Sequence, residues 1–360
     1  MEIEKLLELS VKKRASDLHL SPALPPLMRI DGALTIIADH PPLSADDAKT
    51  AIASIMSPDQ QQAFKTKLSL EMALHLPPIG DFRVSAFHQA NGIAAVFRVI
   101  PPTIPTFEEL DLPESLKSLL TLSHGLILVA GPAGSGKSTT LAAMMDYINS
   151  FRACNIITIE DPIEFMHQNK KSIFHQLQVG RDTPSFYAAM QASLRQDPNI
   201  ILLGELRDLE TMRLALTAAE TGHLVLATIH AGSAPIAINR FADVFPQEEK
   251  NTVRVLLAET LQAVIFQTLV KKLSGGRTAA FEIMLSTPSI RHYIHQDMPG
   301  HMESTIQTSG DKGMMLLDQS LHDLVKKGTI HSHVATAASK NRKLFERMSA
   351  NDNNTQKKKE

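Results

Sequence analysis

Apolar and polar residues follow two different spacings along this chain, and the spacing changes near residue 100. Before that point, short stretches such as residues 81–89 alternate apolar with polar positions, which is typical of strands buried on one face. Asp31-Gly32 and Asn91-Gly92 separate pairs of such stretches and predict tight hairpins. Amphipathic helices are predicted at residues 1–14, 44–55 and 58–66. Residues 1–100 are therefore predicted to form a mixed antiparallel α+β domain.

From about residue 114 the apolar residues come in short continuous runs separated by helical patterns, which predicts a parallel α/β sheet. Four runs are predicted as buried strands, at residues 126–130, 156–160, 199–204 and 224–228. Each run ends in polar residues. Because ligands of open α/β sheets sit at the carboxyl ends of the strands, function is expected at those polar ends.

Proline and composition predict the limits of this second domain. Three prolines between residues 101 and 105 mark a stiff linker over residues 101–113. The α/β domain is predicted to span residues 114–345, and its part beyond residue 246 is expected to be mainly helical, with one hairpin through residues 274–276. Residues 346–360 are polar and rich in lysine, and are predicted to be a disordered tail.

The first apolar run leads into residues 131–138, which read Gly-Pro-Ala-Gly-Ser-Gly-Lys-Ser. This is the phosphate-binding P-loop pattern, and it stands between a predicted strand and a predicted helix, as the motif requires. Lys137 is expected to reach the β- and γ-phosphates of a nucleoside triphosphate, and the Ser138 hydroxyl to bind Mg²⁺. The nucleotide-binding residues predicted in this loop are Gly134, Ser135, Gly136, Lys137, Ser138 and Thr139.

Carboxylates follow the second and third runs. Glu160, Asp161 and Glu164 stand close together, and a metal ion or a cation would relieve their repulsion, although a solvated loop would have the same composition. Gly204-Glu205 resembles a Walker B element without the acid usual at the position of Gly204. Glu205 must then serve the metal, the attacking water or both. Phosphoryl transfer to water needs a carboxylate to hold that water, and either Glu164 or Glu205 is able to do so.

Histidines and arginines complete the set of candidates. His230 follows the fourth run and is a candidate sensor of the γ-phosphate, whereas His223 at the other end of that run is a candidate packing residue. An arginine often neutralises the transferred phosphate, frequently from a neighbouring subunit. The candidates within the domain are Arg195, Arg207 and Arg213, and those that would reach in across an interface are Arg83 and Arg98.

Composition limits the expected binding partners and cellular location of the protein. The net charge of −2 gives no general reason to expect nucleic acid as the partner. No apolar run approaches the ~20 residues that span a bilayer, and the first twenty residues are charged and amphipathic, unlike a signal peptide. The single cysteine, Cys154, excludes an internal disulfide and a multi-cysteine zinc site. A reducing, cytoplasmic location is expected.

Taken in order, these clusters resemble the secretion ATPase superfamily, and most closely its PilT-type members, which retract type IV pili in twitching motility. The resemblance covers nearly the whole chain before the tail. It includes residues 15–20, 81–84, 131–138, 158–164, 204–208 and 213–223, and the histidine box that ends at His230. It implies a PAS-like N-terminal domain followed by a RecA-like P-loop ATPase domain with a helical C-terminal part.

The resemblance also implies roles and partners. Glu164 would be the catalytic base, Glu205 would serve Mg²⁺ and water, and His230 would sense the γ-phosphate. ATP would sit between the two domains, where the predicted nucleotide contacts outside the loop are Glu160, Arg83 and Arg98. The assembly would be a homohexameric ATPase ring at the inner face of the inner membrane. It would act on a pilus platform protein, with a PilU-like paralogue as a possible partner and no direct nucleic acid contact.

Several alternatives stay open at this point. A pilus assembly or type II secretion ATPase of the same superfamily commonly carries an extra N-terminal domain and a four-cysteine zinc module, which this sequence lacks. An accessory PilU-like paralogue, a DNA-transfer motor and a non-hydrolysing ring regulated by nucleotide are the others. Residues 289–294 read Ser-Ile-Arg-His-Tyr-Ile, where retraction ATPases typically have Ala-Ile-Arg-Asn-Leu-Ile.

Overall fold

The structure is a computed structural model that describes residues 3–38, 40–100, 103–342 and 345. Internal contacts divide the chain into two compact units, residues 1–103 and 104–360. Phe107 and Leu112 belong to the buried core of the second unit, although both lie within the predicted linker of residues 101–113. Pro101-Pro102 and the predicted tail of residues 346–360 lie outside the described residues.

The first unit is a six-stranded antiparallel sheet with three helices. Its elements are α1 (Ile3–Lys12), β1 (Asp17–Leu20), β2 (Leu27–Ile30), β3 (Ala33–Ile36), α2 (Ala45–Ser54), α3 (Pro58–Lys67), β4 (Ser69–Leu76), β5 (Gly80–Gln89) and β6 (Gly92–Ile100). The strand order is β3-β2-β1-β6-β5-β4. Serine-led capping boxes begin α2 and α3, and Gly32 turns the β2–β3 hairpin with φ +84°. The predicted hairpins, strands and helices of this unit are confirmed.

The two faces of this sheet differ, as the alternating pattern predicts. Leu18, Phe82 and Phe97 point to one face and are fully buried with residues of all three helices. Residues at the alternate positions, such as Arg83 and Arg98, point to the other face. One face of the sheet is therefore core, and the other carries charge.

The second unit is a mainly parallel α/β sheet followed by helices. Its elements are α4 (Ser115–Leu119), β7 (Gly125–Ala130), α5 (Lys137–Phe151), β8 (Asn155–Glu160), β9 (Ile173–Gln178), α6 (Phe186–Ser193), β10 (Ile200–Leu203), α7 (Leu209–Glu220), β11 (Leu224–Ile229), α8 (Ala234–Asp243), α9 (Lys250–Thr260), β12 (Leu261–Lys271), β13 (Arg277–Leu285), α10 (Pro288–His295), α11 (Pro299–Thr308), a 3₁₀ turn (Gly310–Lys312), α12 (Leu317–Lys326) and α13 (Ser332–Ala338). The strand order is β13-β12-β7-β11-β10-β8-β9.

Helices cover both faces of the central strands. Every residue of β7, β10 and β11 is buried, which explains why these strands are continuous apolar runs. The four predicted strands are confirmed, and so is the hairpin through residues 274–276, which joins β12 to β13. The expectation that the part beyond residue 246 is mainly helical misses the extent of that hairpin. β12 pairs in parallel with β7 and extends the same sheet.

Candidate active site

The P-loop connects β7 to α5 through glycines in conformations that other residues rarely adopt. Gly131, Gly134 and Gly136 have φ values of +151°, +73° and +86°, and Gly136 is the N-cap of α5. A Cβ on Gly131 would clash with the carbonyl oxygen of Gln267 on β12. The loop is therefore packed closely against β12, with backbone amides gathered at the N-terminus of α5.

Lys137 is held over this loop. Its Nζ donates hydrogen bonds of 3.0 Å to the carbonyl oxygens of Gly131 and Pro132. Burial lowers the pKa of Lys137, while the charges of Glu205 and Glu164 act to raise it. The lysine thus lies within electrostatic reach of both carboxylates that the sequence analysis proposes for catalysis.

The loop fits a phosphate group. Ser135 is buried, and its Oγ has no hydrogen-bond partner among the described residues. A buried hydroxyl without a partner is costly, and a phosphate oxygen would satisfy it. Together with the glycine conformations and the lysine, this supports the predicted nucleotide-binding role of residues 134–139.

Strand order brings the other clusters to the same edge of the sheet. β10 lies between β11 and β8, so Glu205, which follows β10, has His230 on one side and the residues after β8 on the other. His230 Nε2 lies 3.0 Å from Glu205 Oε1, and Arg207 binds the other oxygen of Glu205 at 2.8 Å. Arg207 also lies 3.5 Å from Asp161 and so links the second and third predicted clusters. The hydrogen bond to Glu205, with a smaller contribution from the charge of Asp161, raises the pKa of the Arg207 guanidinium.

Glu160 and Glu164 occupy different environments. Burial raises the pKa of Glu160, against hydrogen bonds from Thr158 at 2.7 Å and from Gln176 at 3.4 Å to its carboxylate. Glu164 is exposed, and within the described chain no ion pair engages its carboxylate. The Glu160 carboxylate also accepts a backbone hydrogen bond from Glu164, so Glu160 holds the turn that follows β8, whereas the Glu164 side chain is open to solvent.

Other predicted residues lie away from this edge within the second unit. Arg195 is in the turn after α6, next to residues 196 and 197, which accept hydrogen bonds from Asn155 at the amino end of β8. Arg213 on α7 pairs with Glu249 at 2.7 Å and lies 5.4 Å over the ring of Phe245. His223 stands at the amino end of β11. Of the three arginines proposed within the domain, Arg207 is the one at the site.

Arg83 and Arg98 belong to the first unit, on neighbouring strands β5 and β6 and directly opposite each other in register. Arg83 pairs with Glu71 at 2.7 Å and Arg98 with Asp17 at 3.0 Å. Their proposed contact with nucleotide remains a prediction.

The glycine in the Walker B element has a packing reason. A Cβ on Gly204 would lie 3.3 Å from both the Cα of Glu160 and the carbonyl oxygen of Ile159, which is tighter than ordinary contact. The Thr228 hydroxyl also donates to the Gly204 carbonyl from the other side. A side chain at position 204 would therefore press on the strand that carries Glu160.

Sequence reasoning missed two buried polar residues that support the site. Gln267 Nε2 donates to the carbonyl oxygen of Ser135 at 2.7 Å and ties the P-loop to β12. Glu282 on β13 accepts from the amide of Ala234 at 2.7 Å, just after His230, and from Lys340 Nζ at 2.8 Å. Each is a polar residue inside an apolar run, and that was the signal available for finding them.

A family model described as Type II/IV secretion system protein matches residues 1–351. The chain belongs to this family. It is 52% identical over 330 residues to the type IV pilus retractation ATPase PilT of Pseudomonas aeruginosa, covering 92% of this chain and 96% of that protein. The type IV pilus ATPase PilU of the same organism is 40% identical over 331 residues, covering 92% of this chain and 86% of that protein.

A crystal structure of the pilus retraction motor PilT with bound ADP is also similar. It matches with a TM-score of 0.85 at 40% sequence identity, and covers 96% of this chain and 99% of that chain. The resemblance stated from the sequence is confirmed, as is the predicted fold class of an α+β N-terminal part followed by a RecA-like ATPase part. Across the described ranges, no helix has both the length and the apolar character needed to cross a membrane.

Proposed function

We propose that this protein is an ATP-hydrolysing motor that drives type IV pilus retraction. The observation that carries the proposal is one cluster at one sheet edge in a chain of this family. Lys137, the Glu205–His230 pair and the exposed Glu164 lie together at the carboxyl ends of β7, β10, β11 and β8. A relative that is 52% identical over 92% of the chain carries the name of a retraction ATPase.

The residues divide the work of phosphoryl transfer. Lys137 and the amides at the start of α5 hold the β- and γ-phosphates and neutralise their charge. Glu164 takes the role of general base, because its carboxylate is exposed, whereas His230 and Arg207 already engage that of Glu205. His230, which pairs with Glu205 through Nε2, senses the γ-phosphate and couples its presence to that carboxylate. Glu160 positions the turn that carries Glu164.

Mg²⁺ is the cofactor of this proposal. Where the chain is described, no group of three or more His, Cys, Asp or Glu side chains could hold a metal ion. Mg²⁺ needs no such group, because it keeps several waters and binds through phosphates and one or two protein ligands. Ser138 and Glu205 would be those ligands. When bound, Mg²⁺ neutralises charge on the phosphates of ATP.

The working assembly is a homohexamer in the cytoplasm, at the inner face of the inner membrane. Arg83 and Arg98 of the N-terminal part complete the nucleotide site across an interface and supply the positive charge that phosphoryl transfer needs. Movement of domains about bound nucleotide passes to an inner-membrane platform protein. A PilU-like paralogue is a further partner, since a relative of that name exists in the organism that has the similar PilT.

The ATPase part of this proposal is tested by phosphate release. The assembled wild-type protein should release phosphate from Mg-ATP. Glu164→Gln should lower the rate about 100-fold or more, as the loss of a general base does. Glu205→Gln should lower it by a similar factor, because it removes the carboxylate that serves Mg²⁺. Lys250→Ala, which removes an exposed ion pair with Asp243, is the control and should keep the rate. A normal rate in Glu205→Gln would contradict its catalytic role.

The second candidate function is a pilus assembly or secretion ATPase, and the departures in residues 289–294 are the observation that keeps it. In α10, Ile290 and Ile294 are fully buried and match the retraction sequence, while the changed residues include His292 and Tyr293. A strain that lacks the protein separates the two functions. Excess surface pili without twitching would support retraction, and a bald cell would support assembly.

A further inference from the structure

Four charged residues form one row on the face of the first sheet that lies opposite its core. The strand registers pair Arg83 with Arg98, Arg98 with Asp17, and Asp17 with Arg29, across β5, β6, β1 and β2. Residues directly opposite each other in antiparallel strands point to the same face. The row therefore consists of three arginines around one carboxylate.

Asp17 is buried in this row, with 5% of its surface exposed. One carboxylate oxygen accepts a 3.0 Å hydrogen bond from Arg98 Nε, and the other accepts from the Ser16 hydroxyl at 2.8 Å. Arg29 Nε lies 3.9 Å from that second oxygen. A buried carboxylate is stable only with such partners, so this contact is costly to break.

The contact with Asp17 leaves the two terminal nitrogens of the Arg98 guanidinium without a hydrogen-bond partner in the described chain. A guanidinium has five N–H donors, and four of them are on the two terminal nitrogens. Asp17 binds Arg98 through Nε, and in the described chain no other hydrogen bond of the Arg98 side chain is found. The Arg98 side chain is 59% exposed. Both terminal nitrogens are thus free to form the bidentate contact that arginine makes with phosphate.

Glu71 binds Arg83 differently, because its carboxylate is exposed and contacts a terminal nitrogen of the guanidinium. Glu71 is 63% exposed and binds Arg83 through a terminal nitrogen at 2.7 Å. An exposed ion pair contributes little, and a phosphate would compete with Glu71 for the same nitrogen. Two arginines that face each other across the same strand pair are therefore held by carboxylates in different ways.

We propose that Asp17 is a positioning residue, which orients Arg98 for its contact with the phosphates of ATP, and that Glu71 has no such role for Arg83. The inference rests on the proposed function, in which Arg98 touches nucleotide. Asp17 itself touches no substrate and forms no bond in the reaction. It fixes the guanidinium so that the terminal nitrogens need not be ordered when ATP binds.

A double-mutant cycle in the assembled full-length protein tests this role. We expect Asp17→Asn to lower kcat/KM for ATP about tenfold, and Glu71→Gln to stay within about twofold of wild type. In a chain that already carries Arg98→Ala, Asp17→Asn should cause no further loss, because the residue through which it acts is gone. Thermal unfolding and oligomeric state are measured for each variant, so that a loss of Arg98 positioning is distinguished from a general loss of structure.

Arg98→Lys tests the geometry of the guanidinium with Asp17 intact. Lysine cannot offer one nitrogen to Asp17 and two others to phosphate, so the loss in kcat/KM should match that of Asp17→Asn. If Asp17→Asn does not fold, Arg98→Lys remains as the test. Wild-type kinetics from Arg98→Lys would overturn the inference.

The remaining outcomes are distinguishable. If Asp17→Asn lowers kcat/KM equally in the wild-type chain and in the chain that carries Arg98→Ala, Asp17 acts through the fold and the inference is wrong, while the contact of Arg98 with nucleotide stands. If Arg98→Ala alone has wild-type kinetics, the proposed arginine contact and the inference fall together. A loss in Glu71→Gln as large as that in Asp17→Asn would also overturn the distinction.

Discussion

The seven-stranded sheet of the second unit is covered on both faces, whereas the six-stranded sheet of the first unit is covered on one. In the parallel sheet, every residue of β7, β10 and β11 is buried, so polar chemistry occurs at the carboxyl ends of the strands. In the antiparallel sheet, the positions of β5 and β6 that alternate with the core include Arg83 and Arg98, which remain half-buried and exposed, respectively.

The two units position their charged and polar side chains in different ways. At the strand ends, the groups come from segments far apart in sequence and are held by the loops and by Gln267, whose bond to Ser135 joins residues 132 positions apart. On the open face, register alone sets the spacing of Arg83, Arg98 and Asp17. Substitutions should therefore affect activity at the strand ends, stability inside the parallel sheet, and little at the open edge of the first sheet.

The largest effect is expected at Lys137. Lys137→Ala removes the charge that the loop holds for phosphate, and should lower kcat for ATP hydrolysis about 1000-fold, equal to about 4 kcal/mol. Steady-state phosphate release measures this, with circular dichroism to show that the fold is retained. Lys170→Ala, which breaks an exposed pair with Asp146, is the matched control and should keep normal turnover.

The next prediction compares the loss of stability caused by one isoleucine substitution in each sheet. Ile201 in the centre of the parallel sheet is fully buried, whereas Ile36 on the edge strand of the antiparallel sheet is 60% exposed. Ile201→Ala should lower the free energy of unfolding by about 3 kcal/mol, because it leaves a cavity in a closely packed core. Ile36→Ala should change it by less than about 0.5 kcal/mol. Denaturant unfolding of both variants checks this, and similar losses would contradict the contrast between the sheets.

A half-buried histidine, His167, should make stability depend on pH. Burial lowers the pKa of His167 to about 4, and its ring stacks on Phe174. The unfolded chain, with a histidine pKa near 6.5, binds the proton more tightly, so stability is fully present above about pH 6.5 and falls as the pH approaches 4. The expected loss is about 3 kcal/mol between pH 7 and pH 4. Urea unfolding should show a flatter pH profile in His167→Asn, and an unchanged profile would contradict the assignment.

The smallest of these effects is expected at Gly204. Gly204→Ala adds a Cβ that meets Glu160 and Ile159 at 3.3 Å, so a small shift of β8 and a loss of about 1 kcal/mol in unfolding free energy are expected. Gly32→Ala is the comparison in the first unit, where no atom lies within 4 Å of the added carbon and the cost comes from the backbone φ of +84° alone. A change in ATP turnover should accompany Gly204→Ala and be absent from Gly32→Ala.

Much of the fold was predictable from the sequence. Continuous apolar runs located the buried strands, Asp31-Gly32 located a hairpin, and the P-loop pattern located the phosphate site. Strand β9 was missed because its exposed and half-buried residues at the sheet edge make no apolar run. The place of β12 beside β7 was missed because a run of apolar residues does not state which strand it pairs with.

Among the site residues, position along a strand was a better guide than residue type. Glu205 and His230 followed apolar runs and do meet, at 3.0 Å. Arg195 and Arg213 were candidates as arginines near the motifs, but neither follows a strand at the carboxyl edge of the sheet. Gln267 supports the P-loop from a strand whose partner the sequence could not name.

The role of this sheet edge in retraction is tested most directly by counting surface pili and measuring twitching in a strain whose own copy of this protein carries Glu205→Gln, beside a strain with the wild-type copy restored. If ATP hydrolysis at this sheet edge powers retraction, the variant strain should carry more pili than wild type and should not twitch. Normal twitching would contradict the catalytic role of the cluster, and a cell without pili would show that the motor assembles them.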